Sequence, residues 1–389
     1  MTYILSAART PMGGFQGDLA GLTAPQLGSA AIRAALARAG LGGEDAGEVL
    51  MGNVLPAGLG QAPARQASLG AGVPDSVPCT TISKVCGSGM KAIMLGADAI
   101  AAGHAAIVVA GGMESMTNAP YLLPKARGGL RMGHGEVKDH MFLDGLEDAY
   151  EGRLMGTYGD EAARAYQFSR DDQDAYAMES LARAKRAVSD GSFAGEIVAV
   201  TVKTRAGENE IAVDEQPGKA DPKKIPNLKP AFAKDGTVTA ATSASISDGA
   251  AALAIAGEAA VKARGLSPIA RIAGQASYAG KPGLFTSAPV HAIRRLFEKT
   301  GWSARDVDLF EINEAFANVA MIAMKEHGLS HEIVNVNGGA CALGHPIGAS
   351  GGRIVLTLLP PPKARRLQRG VASLCIGGGE ATALAVELV

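Results

Sequence analysis

The chain is short of cysteine, has no excess of charge of either sign and contains no long apolar run. Four cysteines in 389 residues, Cys79, Cys86, Cys341 and Cys375, make no disulfide framework in a chain of this length, and no CxxC pair suggests zinc. A net charge of −1 leaves no basic field for nucleic acid. Glycine or charge interrupts each apolar stretch, so no segment reads as membrane-spanning. The opening "MTYILSAARTP" has no basic region followed by an apolar one. It reads as a strand entering a turn, and the expectation is a cytoplasmic protein.

What is present is apolar material for more than one core. The chain is 47% hydrophobic, which at this length suggests two or three domains. "AAIVVAGG", "IVNVN" and "VASLCIGGG" read as buried strands. "APQLGSAAIRAALARAG" and "DDQDAYAMESLARAKRAV" read as amphipathic helices. Such alternation predicts α/β layers around a largely buried sheet. The chain also echoes itself. Ala-Pro, a helix, a glycine, an acidic turn and an apolar strand ending at asparagine occur once before Asn53 and again before Asn313. Two similar α/β halves are the expected meaning, against chance likeness between α/β units. Residues 117–247 differ in character, being polar and rich in Pro, Gly and Lys, and read as an excursion from the first half.

The candidate chemistry centres on "SKVCGSGMKA". The small and apolar residues after Cys86 predict a buried helix, with the cysteine at its N-terminal end. Unpaired N–H groups and the helix dipole there favour a thiolate. Gly87 and Gly89 would let a substrate approach the backbone. The same residues also suit a tight turn whose cysteine only packs. A cysteine nucleophile needs a base. Six of the seven histidines, His104, His134, His140, His291, His327 and His331, read as surface positions. His345 lies instead in the glycine-dense "NGGACALGHPIGASGGR", between a strand and the helix "RIVLTLL", where a base could be held. Cys375 ends a strand that runs into Gly377, Gly378 and Gly379, whose N–H groups would suit an oxyanion. Asn313, in "EINEAFAN", ends another strand and could hold a water, or could simply cap the next helix.

Taken together, "SAARTPMGGFQGDL", "GNVLPAGLGQAPARQA", "SKVCGSGMKA", "VVAGGMESM", "GTVTA", "SDGAAA", "EINEAFA", "NVNGGACALGHPIGASGGR" and "CIGGG" resemble the thiolase family along nearly the whole chain. The resemblance implies an α/β fold of two similar halves in five α-β-α-β-α layers. The expected divisions are an N-terminal half at 1–116 and 248–264, a loop domain covering coenzyme A at 117–247, and a C-terminal half at 265–389. It implies an acyltransferase that joins two acetyl-CoA, or cleaves a 3-ketoacyl-CoA such as acetoacetyl-CoA with coenzyme A. Cys86 would carry the acyl group, His345 would take its proton, and Cys375 would be the acid/base. The backbone N–H groups of Cys86 and Gly377 would form one oxyanion hole, and His345 with a water on Asn313 the other. Coenzyme A is a substrate, and no metal or other cofactor is implied. A homodimer or homotetramer is expected, with the charged loop from Arg127 to Lys138 a candidate for joining dimers. A broader degradative thiolase and a non-catalytic acyl-CoA binding protein are the alternatives. A decarboxylating ketoacyl synthase of the same superfamily would lack the second cysteine, Cys375.

The sequence departs from the family around the ligand. Leu154 stands where many members have histidine, beside a retained Met155. Thr242 replaces an asparagine, and Ala244 a serine that usually bonds the pantetheine. Phe232, Ala240 and Phe316 match the family's contact positions. Phe285 replaces a methionine at the acyl pocket, where its ring would favour a short acyl group unless it turns away. Lys219, Lys223 and Lys224 are expected to face the coenzyme's phosphates, a solvated charge run being the plain alternative. Pro360, Pro361 and Pro362 predict that the helix from Arg353 stops by Leu359.

Overall fold

A computed structural model describes residues 1–205, 207–359 and 368–389. Its principal strands are β1 (Thr2–Arg9), β2 (Glu48–Gly52), β3 (Cys79–Ile82), β4 (Ile107–Ser115), β5 (Ser247–Gly257), β6 (Ala270–Ala279), β7 (Leu309–Ile312), β8 (Arg369–Ile376) and β9 (Glu380–Leu388). They follow the order β7-β8-β9-β6-β1-β5-β4-β2-β3 in a ten-stranded sheet, with Gly13–Gly14 pairing with β5 off that path. The longer helices are α1 (Ala24–Arg38), α2 (Pro63–Gly70), α3 (Ser88–Ala101), α4 (Met155–Tyr166), α5 (Arg170–Ser189), α6 (Ala288–Thr300), α7 (Ala317–His327) and α8 (Ser350–Thr357).

The sheet repeats itself about the β1–β6 seam. On one side β2 and β4 run parallel, while β4–β5 and β5–β1 are antiparallel. On the other side β7 and β8 run parallel, while β8–β9 and β9–β6 are antiparallel. The two half-sheets join through the pairs Tyr3–Arg271 and Ile4–Ala270.

Burial sets the layers. The apolar stripe of α1, with Leu27, Ile32 and Leu36, packs on Val49, Val109 and Met113 of the first half-sheet. That helix starts where Thr23 and Gln26 form a reciprocal cap and Pro25 sits in the first turn. In the second half Ile293 and Leu296 of α6 and Ile322 of α7 pack with Phe310 and Val371. Between the half-sheets lie α3 and α8, where Met90, Ile93, Ile354 and Val355 touch Leu50, Val108, Leu374 and Leu384. The expected α-β-α-β-α stack is therefore present, its two sheets fused at one seam.

The central layer is unusually tight. A Cβ on Gly112 would stand 1.9 Å from the Gly348 carbonyl oxygen, and one on Gly89 2.9 Å from the same atom. Gly89 thus lets the halves close on each other, rather than admitting a substrate as the sequence suggested. Gly87 likewise faces the Ile376 side chain.

One predicted strand does not form. In "IVNVN" only Val334 pairs, with Phe310. Asn335 adopts φ +48°, in the left-handed region that asparagine tolerates. Its side chain then stands in for the missing strand, with Oδ1 accepting from the Ile312 N–H and Nδ2 donating to the Ile312 carbonyl, both at 2.8 Å. At the other end of this half, α8 stops at Thr357, ahead of Leu359 as expected. Pro360–Pro362 lie outside the described residues. Among the described residues no helix is long and apolar enough to cross a membrane.

Candidate active site

Cys86 lies between β3 and α3, on a turn that leads directly into the helix two residues on. The turn is closed by the Gly87 N–H on the Lys84 carbonyl and the Ser88 N–H on the Val85 carbonyl, each at 3.0 Å. Val85 takes φ +45°, which a β-branched side chain rarely adopts. The Lys84 ammonium pairs with Glu380, just beyond the Gly377–Gly379 turn, and so ties the nucleophile turn to the opposite half.

Burial at Cys86 works against the thiolate that the helix end was expected to favour. The residue is half-buried, but its thiol is enclosed by protein, and burial pushes it up to about 11. The N–H groups of Gly377 and of Cys86 itself pull in the opposite direction, and the charge of Glu114 adds to the rise. Gly377 therefore directs its N–H at the Cys86 sulfur.

His345 is buried in the loop before α8, with its N–H on the Ser245 carbonyl at 3.1 Å. Its Nδ1 lies 2.5 Å from the Ser350 hydroxyl, which itself donates to the Pro346 carbonyl at 3.0 Å. With its only proton given away, Ser350 must accept, so Nδ1 carries the imidazole proton. Nε2 is left as a buried acceptor with no partner among the described residues. Burial, aided by the Arg353 charge, lowers His345 to about 3. Burial thus favours the neutral thiol and the neutral imidazole alike.

Cys375, at the end of β8, is 1% exposed. Burial holds its thiol well above the usual range, and the nearby Cys86 adds to this. Asn313 follows β7 and has no exposed surface, yet neither Nδ2 nor Oδ1 has a partner among the described residues. The loop beyond it is anchored by Glu314, which accepts from Tyr176 at 2.9 Å, Ser180 at 2.8 Å, Asn335 at 2.8 Å and the Cys341 N–H at 3.1 Å.

A cavity of about 380 Å³ opens onto these groups. Cys86, His345, Cys375 and Gly377 line it, together with Met155, Phe232, Ala240, Phe285 and Phe316. Asn313 is not among the lining residues, although Ala315 and Phe316, two and three positions on, are. Phe285 is 2% exposed and sits with its ring edge-on to both Tyr158 and Phe316. Leu154 and Ala244 also line the cavity, which makes its wall nearly continuous in apolar surface. Thr242 does not reach it. That side chain is fully buried and accepts the Thr239 N–H at 2.8 Å, so the substitution acts on a turn and not on a ligand.

The three lysines are not brought to the cavity. The Lys219 ammonium is held by Glu215, with Asp18 at 4.0 Å, while Lys223 and Lys224 are exposed on the turn Pro222–Asn227. Among the histidines read as surface positions, His140 is in fact buried, its Nδ1 2.6 Å from Asp144. Sequence reasoning missed Phe142, Leu146, Ile246 and Ile347, which complete the cavity wall from segments distant in the chain. It also missed Ser350, although its position five residues after His345 was a readable signal.

The chain matches the model "Thiolase, N-terminal domain" over residues 2–259 and "Thiolase, C-terminal domain" over residues 266–388. It is 48% identical to an acetyl-CoA acetyltransferase of Pseudomonas aeruginosa, over 98% of each chain. It is 50% identical to acetyl-CoA acetyltransferase 1 of Arabidopsis thaliana, over 99% of this chain and 94% of the relative. The crystal structure of the Bacillus anthracis acetyl-CoA acetyltransferase superposes with a TM-score of 0.97 at 40% identity, covering 100% of this chain and 98% of that one. Fold, paired-cysteine cavity and full-length similarity agree, and the chain belongs to the thiolase family.

Proposed function

We propose that the protein is an acetyl-CoA C-acetyltransferase, interconverting two acetyl-CoA with acetoacetyl-CoA and coenzyme A. The observation that carries this reading is one apolar cavity bearing two cysteines and a histidine with a free Nε2. The closely similar acetyl-CoA acetyltransferases support it.

In the cleavage direction, the Cys86 sulfur attacks the 3-keto carbon as its proton passes to His345 Nε2. The C2–C3 bond then breaks. The departing enolate of acetyl-CoA takes a proton from Cys375, whose high affinity for that proton keeps it available as a donor. Coenzyme A next gives its thiol proton to the Cys375 thiolate and attacks the acetyl-Cys86 thioester. Cys86 leaves and recovers its proton from His345, so both cysteines end as thiols. Condensation is the reverse. The N–H groups of Cys86 and Gly377 meet the oxyanion on the acyl-cysteine side, and Asn313 with His345 meets the enolate oxygen. Each such donor is worth about 3 kcal/mol of barrier. Coenzyme A enters as a substrate, and these steps call on no metal or redox group.

The closed, apolar wall at Phe285 favours a short acyl group over the longer chains of a degradative thiolase. The protein acts as a homodimer or homotetramer in this reading. Thiolysis assays with acetoacetyl-CoA and with a longer 3-ketoacyl-CoA test it. Faster turnover of acetoacetyl-CoA is expected. A preference for the longer substrate would move the protein to the degradative branch.

A further inference from the structure

The two half-sheets place different residues at matching positions. Gly52 of β2 pairs with Gly112 of β4, and Ile312 of β7 pairs with Ser373 of β8. One residue beyond Gly52 and Ile312 stand Asn53 and Asn313. Two residues beyond Gly112 and Ser373 stand Glu114 and Cys375. Glu114 is thus the first half's counterpart of the second cysteine.

Glu114 has no exposed surface and no cation beside it. Its Oε1 accepts from Asn53 Nδ2 at 2.7 Å and the Leu55 N–H at 3.2 Å. Its Oε2 accepts from the Val54 N–H at 3.0 Å and the Gly348 N–H at 2.9 Å. Burial pushes this carboxyl up to about 7, and the N–H donors of Val54, Leu55 and Gly348 pull the other way, favouring the carboxylate. Three of the contacts hold the loop after β2. The fourth crosses to the other half and grips the loop of His345, three residues from the imidazole.

We propose that Glu114 is a positioning residue for catalysis, fixing the His345 loop against the nucleophile turn across the boundary between the halves. The Gly348 carbonyl also lies against Gly89 and Gly112, where an added Cβ would crowd it. The Glu114 bond supplies a directional restraint. It fixes where Nε2 stands relative to Cys86, and misplacement of such a group by a fraction of an ångström slows the chemistry without weakening binding. The inference rests on the roles of Cys86 and His345 proposed above.

The test is Glu114→Gln, which preserves shape. An amide has one acceptor oxygen where the carboxylate has two, so it can hold Gly348 or Leu55 but not both. Its kcat for acetoacetyl-CoA thiolysis is expected to fall about tenfold, with KM within about twofold of wild type. Alkylation of Cys86 by iodoacetamide should slow in parallel. Ile32→Ala, in the outer layer under α1, serves as a control for lost stability and should keep wild-type kcat. Wild-type kcat in Glu114→Gln, or an equal loss in Ile32→Ala, overturns the inference alone. Thiolysis retained by Cys86→Ala would bring down the reading of the site, and this inference with it.

Discussion

Asn53 and Asn313 close equivalent strands in the two halves, yet their amides live differently. Asn53 donates through Nδ2 to Glu114 at 2.7 Å and to the Met113 carbonyl at 3.3 Å, while its Oδ1 has no partner among the described residues. Asn313 is equally buried, and neither its Nδ2 nor its Oδ1 has a partner among the described residues. A buried polar group without partners costs stability, so such a group persists where something else requires it. One duplicated scaffold has turned the same position into a fastening in the first half and left its amide unpartnered among the described residues in the second, as the role proposed for Asn313 requires.

Substituting both asparagines is the sharpest way to break this comparison. Asn313→Ala should lower kcat about a hundredfold by removing a donor from the developing oxyanion. Its urea midpoint should stay at or above wild type, because an unpartnered polar group has left the core. Asn53→Ala should do the reverse, costing about 1–3 kcal/mol of stability in urea titration with a much smaller loss of kcat. Equal effects of the two changes on both readouts would abolish the distinction.

The next effect concerns the cavity wall. Phe285→Leu should raise turnover of a longer 3-ketoacyl-CoA relative to acetoacetyl-CoA about tenfold, as one apolar contact in such a pocket allows. An unchanged ratio would mean the ring does not bound the acyl site. A smaller effect concerns pH. His345 held near 3 stays neutral at any ordinary pH. kcat/KM should therefore vary less than about twofold from pH 6 to 8, with no acid limb at the usual imidazole value. The sign for stability follows from the same shift. The unfolded chain takes up a proton near 6.5 that the folded chain refuses, so this group favours the fold above 6.5 and withdraws that support as pH falls toward 3. The least effect belongs to the lysines. Changing Lys219, Lys223 and Lys224 together to alanine should raise the KM for coenzyme A no more than about threefold, and less at high salt, since exposed charges are screened.

The sequence carried Cys86, His345 and Cys375 because each stands at the junction of a strand or turn with a glycine-dense loop, and such junctions are local. It carried the two halves because their order of helix, turn and strand repeats. It did not carry what depends on distant partners. "IVNVN" looks like a strand until the Asn335 amide is seen bonding Ile312 across 23 positions. Thr242 looked like a lost ligand contact and is a turn fastening. Gly89 looked like room for substrate and is room for Gly348 of the other half. The thiol of Cys86 looked acidified by its helix, but its enclosure by distant parts of the chain pushes it the other way. Glu114 was visible only as one letter of "GGMES", its role set by a residue more than two hundred positions away.

The most direct test of a divided site, with the nucleophile from one half and the acid/base machinery from the other, is peptide mass spectrometry after incubation with acetyl-CoA. Wild type and Cys375→Ser should both carry a single acetyl group on Cys86, while only wild type forms acetoacetyl-CoA. An acetyl group on another residue, or acetoacetyl-CoA formed at the wild-type rate by Cys375→Ser, would contradict the account.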